Sequence, residues 1–113
     1  PTYLEPDEFL KTNQPYVRKP SFGREGDTVE IFNGKGESIN AEPQKTYSDT
    51  LPVYQAFHAL PEAIVQTTSG EKKQHLMYGC FLLNNKAGAL GIRAGSAITN
   101  NLSYFLPVGI NRN

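Results

Sequence analysis

The chain has 113 residues and a formal net charge of zero, which leaves room for one domain-sized core and gives no electrostatic reason to bind nucleic acid or an anionic membrane. Its apolar content is only 38%, but six Tyr and six Phe can each bury about 150–250 Å², and ten Gly with eight Pro favour short strands and turns over long helices. A single cysteine excludes an intrachain disulfide.

Residues 1–28 read as an extended N-terminal arm, because Pro6, Pro15 and Pro20 interrupt any helix except a single turn around Asp7–Lys11. The arm carries Tyr3, Leu4, Phe9, Leu10, Tyr16 and Phe22, more large apolar groups than a disordered tail holds. It is therefore expected to dock, on its own domain or on a neighbour. Residues 29–113 read as one β-rich domain.

Thr28–Ile39 carries the clearest local signal. Val29-Glu30-Ile31-Phe32 alternates apolar with polar, and Asn33-Gly34 is a dipeptide favoured in type I′ turns. A β-hairpin follows. Asn33-Gly34-Lys35-Gly36 lacks P-loop spacing and a following helix, so a phosphate loop is not expected there. Asn40–Pro52 is a polar loop. Val53–Leu60 places Val53, Ala56, Phe57 and Leu60 on one helical face, with a strand as the competing reading. Ala63–Thr68 reads as a strand and Ser69–Lys73 as an exposed turn.

His75–Leu83 is a long apolar run, expected as a central strand buried on both faces, with Cys80 as a buried small residue. Asn84-Asn85-Lys86 makes a turn. Ala87–Ala97 is rich in Gly and Ala, which permits close backbone approach. Leu102–Ile110 is expected as a final strand, and Pro107 places it at an edge. Charge is unevenly distributed: residues 1–71 carry a net of −5, and residues 72–113 carry five cations and no acid.

No catalytic constellation emerges. His58 and His75 have no metal-ligand spacing around them. No serine sits in a Gly-x-Ser-x-Gly elbow, and the acidic pairs Asp7-Glu8 and Glu25/Asp27 lie in Gly- or Pro-flanked loops. No cofactor is expected, and neither is enzymatic activity. No signal peptide or transmembrane stretch is recognisable, so synthesis in the cytoplasm is expected.

Three features resemble small bacteriophage capsid decoration (cement) proteins. They are the Pro-broken aromatic arm of residues 1–28, the disulfide-free β-rich body, and the Gly/Ala/Asn-rich, acid-free region Asn84–Asn113. The resemblance implies a virion protein that stabilises a coat lattice by contact, without chemistry.

The fold expected is mainly β, an antiparallel sandwich, jelly roll or small barrel with at most one short helix. The expected function is structural, as a virion stabilising protein partnered with itself, as dimer or trimer, and with a coat or shell protein. Tyr3, Leu4, Phe9, Tyr16, Phe22, Arg93, Tyr104 and Phe105 are the candidate partner-binding residues. A carbohydrate- or peptide-binding β module is the alternative.

Overall fold

A computed structural model describes residues 1–111. The chain divides into two compact units, Pro1–Ala59 and the segment from Leu60 onward. The expectation of a mainly antiparallel β chain with at most one short helix holds, with 47% of residues in strands and 5% in helix. Both sheets are open, which removes the small-barrel alternative. Among the described residues no helix is long and apolar enough to cross a membrane.

The first unit contains β1 (Thr2–Tyr3), α1 (Asp7–Lys11), β2 (Tyr16–Pro20), β3 (Glu30–Phe32), β4 (Ser38–Ala41) and β5 (Pro52–Ala56). Its sheet runs β1-β5-β2-β3-β4, antiparallel throughout. The segment read as an arm thus supplies three elements, and β2 is the middle strand of the sheet. The single helical turn falls where Pro6 leaves it room, with Asp7 and Glu8 at its positive end and Lys11 at its negative end.

Strand alternation puts Tyr3, Tyr16, Phe32 and Tyr54 on one face, and α1 lays Phe9 onto it. Phe9 packs against Tyr3 and Tyr16 at ring-centre distances of 5.3 and 5.6 Å. Tyr16 in turn stacks on Phe32 at 5.0 Å and meets Tyr54 at 6.0 Å. Phe9 is 1% exposed and Tyr16 4%, so this aromatic cluster is a core of the unit.

The β3–β4 hairpin forms as expected, but not with a type I′ turn. Asn33 and Glu37 close a three-residue loop, Asn33 N–H donating to Glu37 O at 2.9 Å and Gly36 N–H to Asn33 O at 3.1 Å. Gly36 takes φ +83°. This is a type I turn closed by a left-handed residue. It wins because the Asn33 side chain accepts the N–H groups of both Lys35 and Glu37 at 2.9 Å.

The helix expected at Val53–Leu60 is replaced by strand β5. That segment lies between β1 and β2, so extended backbone satisfies hydrogen bonds on both of its edges. A helix would leave both neighbours open.

The second unit is a four-stranded sheet, β6 (Glu62–Thr67), β7 (Gly70–Leu83), β8 (Lys86–Gly95) and β9 (Tyr104–Leu106), in that order. The turn expected at Ser69–Lys73 shrinks to Thr68-Ser69, and Lys72 and Lys73 pair with Val65 and Ile64. Val65, Leu76 and Ala94 form the buried cluster, flanked by Ala63, Ile92 and Leu106.

The expectation that His75–Leu83 is buried on both faces is overturned. β6 pairs with β7 only as far as His75, and β9 pairs with β8 only over Ile92–Ala94. β7 has lost β6 by Tyr78, and past the Tyr78–Ile92 pair β7 and β8 continue as a two-stranded ribbon, so Tyr78, Phe81, Leu82, Leu83 and Leu90 are exposed. Cys80 lies on this ribbon and is exposed rather than buried. The ribbon closes at Asn84-Asn85, with φ values of 50° and 61°, as a type I′ turn requires. β9 is an edge strand, as Pro107 implied, and stops at Leu106, because Pro107 has no N–H to extend the ladder.

Candidate functional site

β2 ends in Lys19-Pro20. Alternation sends Arg18 to the aromatic face and Lys19 to the opposite one, where its Nζ donates to Gln55 Oε1 at 2.5 Å. Pro20 faces Pro52 across the ladder. Neither has an N–H, so regular pairing stops and the chain leaves the sheet.

The chain returns to β3 through Ser21–Val29. Asp27 N–H donates to Arg24 O, and Val29 N–H to Gly26 O, both at 3.1 Å, giving two overlapping turns. Glu25, Gly26 and Thr28 have φ of 58°, 76° and 64°. Among the described residues the backbone N–H groups of Gly23, Arg24, Glu25 and Gly26 donate to no protein acceptor. At Gly23 a Cβ would stand 2.6 Å from the Pro20 ring, so only glycine lets the loop fold this close to its strand.

The loop encloses an open cup of about 150 Å³, lined by Lys19, Pro20, Gly23, Arg24, Glu25, Gly26, Asp27 and Val29. At ~30 Å³ per water this is room for several waters or a phosphate group. Its lining includes Gly23–Gly26, whose N–H groups are free, together with Lys19 and Arg24; free backbone N–H groups and cations in one concavity favour an anion.

Two carboxylates oppose them, but unequally. Asp27 is buried, and its Oδ1 accepts Thr28 Oγ1–H at 2.7 Å and Thr46 N–H at 2.9 Å. Burial pushes this carboxyl up, but those hydrogen bonds and the charge of Lys45 outweigh it and hold the group below the usual carboxylate range. It therefore stays ionised, its charge stabilised by those hydrogen bonds and by Lys45. Glu25 is exposed to solvent, which screens it.

The candidate residues read from the sequence do not converge. Phe9 and Tyr16 are buried in the first unit's core, while Leu4 and Phe22 are exposed at 63% and 79% and Tyr3 at 40%. In the second unit, Arg93 Nη2 lies 3.8 Å from Met77 Sδ, and Tyr104 shares a hydrogen bond with Thr68 at 3.3 Å. Phe105 is 80% exposed. His58 is exposed, and His75 Nε2 lies 3.2 Å from Glu62 Oε1.

The sequence does not single out the cup, because Asn33–Gly36 is the more obvious glycine pair. The signal was Lys19-Pro20-Ser21-Phe22-Gly23-Arg24-Glu25-Gly26. It has a cation at the end of a strand, then two glycines three apart with a second cation between them.

Residues 1–111 match the family described as glutathionylspermidine synthase preATP-grasp. The chain belongs to that family.

Membership in the glutathionylspermidine synthase preATP-grasp family corrects four expectations. The resemblance to capsid decoration proteins fails, and with it the virion role and the carbohydrate- or peptide-binding alternative. The expectation of no enzymatic connection fails too, since the family's description names a synthase. The physical reason lies in the features that carried the resemblance. The Pro-broken segment is built into a sheet through β2, and Ala87–Ala97 is mostly strand β8. Neither is a free docking element.

Proposed function

We propose that this chain serves an ATP-dependent synthase of the glutathionylspermidine synthase kind, and that the Lys19–Asp27 cup holds phosphate groups of the nucleotide. The observation that carries the proposal is the loop itself, with Lys19 and Arg24 in the cup's lining and four unpaired backbone N–H groups from Gly23 to Gly26.

The chemistry fits the family description. Joining glutathione to spermidine condenses a carboxyl with an amine, which is unfavourable in water without coupling to an energy source. The description's term preATP-grasp refers to such a source. For phosphate chemistry a protein supplies positioning and charge balance. Lys19 and Arg24 balance the phosphate charge, and the loop N–H groups donate to its oxygens without reorganisation. Gln55 is the partner from which phosphate charge would draw the Lys19 ammonium.

Calorimetric titration of the chain with ATP, with inorganic triphosphate and with adenosine tests this. Both phosphate ligands are expected to bind and adenosine much more weakly. Lys19→Met and Arg24→Ala are each expected to weaken binding about ten-fold or more, since each removes a charge-assisted contact. Absence of phosphate binding, or unchanged affinity in both variants, refutes the reading.

A further inference from the structure

We infer that Asp27 and Thr28 are positioning residues that hold the glycine loop in its anion-ready shape, an inference that rests on reading the cup as a phosphate site.

Thr28 is the anomaly that leads there. It is β-branched, yet its φ is +64°, a region such residues rarely occupy because Cβ crowds the backbone. Glycine or asparagine would relax the turn. Thr28 is also buried, so solvent does not explain its hydroxyl. The hydroxyl donates to Asp27 Oδ1 at 2.7 Å and accepts Tyr47 N–H at 3.0 Å. Asp27 Oδ1 also accepts Thr46 N–H, and Thr28 N–H donates to Gln44 O at 2.9 Å. One strained residue and its neighbour thus fasten the end of the loop to the segment 44–47.

Tyr47 closes the circuit. Its ring approaches Gly23 at the start of the loop, where a built Cβ would lie 3.5 Å away, and its N–H is held by Thr28 at the other end. Both ends of the loop therefore rest on one residue of segment 44–47, and the part between them carries the free N–H groups. Strain kept at a site is retained when surrounding contacts over-determine it, and here those contacts set the loop's shape. Without the Thr28 hydroxyl the fold has no reason to fail, but the loop loses its far anchor.

The test is the affinity of inorganic triphosphate and ATP for the whole chain carrying Thr28→Val, Thr28→Gly or Thr28→Ser. Valine keeps the shape without the hydroxyl, glycine removes both strain and hydroxyl, and serine keeps the hydroxyl. Valine and glycine are expected to weaken binding about ten-fold or more, because misplaced donors lose much of their effect, while serine stays near wild type. Glycine binding as well as wild type overturns the inference. If Thr28→Val does not fold by circular dichroism, Asp27→Ala and Asp27→Asn test the same anchor. Asparagine keeps an oxygen acceptor and is expected to bind, whereas alanine is expected to weaken binding; equal affinities overturn the inference. Wild-type protein that binds no phosphate ligand refutes the phosphate-site reading, and the anchor with it. Wild-type binding that these variants leave unchanged refutes the anchor alone.

Discussion

The Lys19 ammonium donates to the Gln55 side-chain oxygen at 2.5 Å across neighbouring strands β2 and β5. Val17, not Lys19, is the backbone partner of Gln55, so the bond is a diagonal contact on one face of the sheet. It draws the ammonium back along the strand, toward the Val17–Gln55 pair and away from the loop that follows Pro20. Gln55→Ala is expected to leave the fold intact, because Gln55 is exposed and exposed polar pairs contribute about 1 kcal/mol or less. It is expected to leave phosphate-ligand affinity at or above wild type, whereas Lys19→Met lowers it, since the charge remains and is released from a competing partner. Calorimetry on the two variants side by side checks the order.

Acid sensitivity centres on Asp27. Its folded carboxyl titrates below the ordinary value, so its contribution to stability is fully present above the unfolded carboxyl pKa, near 4. That contribution falls away as pH drops through the lower folded value. Glu62, lowered by its bond to Lys73 and the charges of Lys73 and His75, acts in the same direction. Thermal unfolding between pH 6 and pH 2.5 is expected to show midpoints that fall below about pH 4. Asp27→Asn should flatten part of that fall and Glu62→Gln another part. A midpoint independent of pH in this range contradicts the assignment.

The aromatic core of the first unit shows what the sequence disclosed and what it withheld. Tyr3, Phe9 and Tyr16 stand out in the sequence as too many large rings for a loose tail. Their partners Phe32 and Tyr54 come from strands far along the chain, and no local pattern announces that meeting. The hairpin at residues 30–41 was legible because alternation and turn residues are local. β5 was not, because Val53, Ala56 and Phe57 fit a helical stripe as well as a strand, and its position between β1 and β2 decided the matter. The exposure of Phe81–Leu83 was hidden for the same reason: an apolar run shows no sign that its neighbouring strands stop short. The phosphate-loop candidate carried a local signal, but its free N–H groups depend on turns that the composition of residues 21–29 does not specify.

Phe9→Ala should be the most damaging single change in the first unit. Phe9 is 1% exposed and contacts the rings of both Tyr3 and Tyr16. Removing a buried Phe side chain costs about 3–5 kcal/mol, a large part of the ~5–15 kcal/mol that holds a typical domain together. α1 has only five residues, too few to persist without that anchor. Urea unfolding should show a lowered midpoint, with Phe9→Leu losing less.

The β7–β8 ribbon ends in Asn84 and Asn85, both at positive φ. Asparagine tolerates this region and glycine accepts it at no steric cost, whereas alanine pays roughly 1–2 kcal/mol for it. Asn85→Gly should therefore preserve the ribbon, and Asn85→Ala should loosen it. Hydrogen exchange at the amides of Leu83 and Lys86, which pair across the turn, should quicken in the alanine variant and stay slow in the glycine variant. Equal exchange in the two would mean that the turn does not control the ribbon.

Phe81, Leu82 and Leu83 are 67%, 70% and 73% exposed on a ribbon with open strand edges. Apolar side chains beside unpaired backbone groups form a template for self-association. Phe81→Ser with Leu83→Ser changes one face of the ribbon and Leu82→Ser the other. Because these side chains are largely in water already, thermal midpoints should move little, since such surface changes fall within about 0.5 kcal/mol. Light scattering at rising protein concentration should nonetheless show less association in the serine variants. A thiol reagent should also label Cys80 in the folded protein, because its side chain is exposed on this ribbon. Unreactive Cys80 in the native chain, appearing only on denaturation, would show that the ribbon is covered in solution. The serine substitutions would then destabilise the protein instead of making it more soluble.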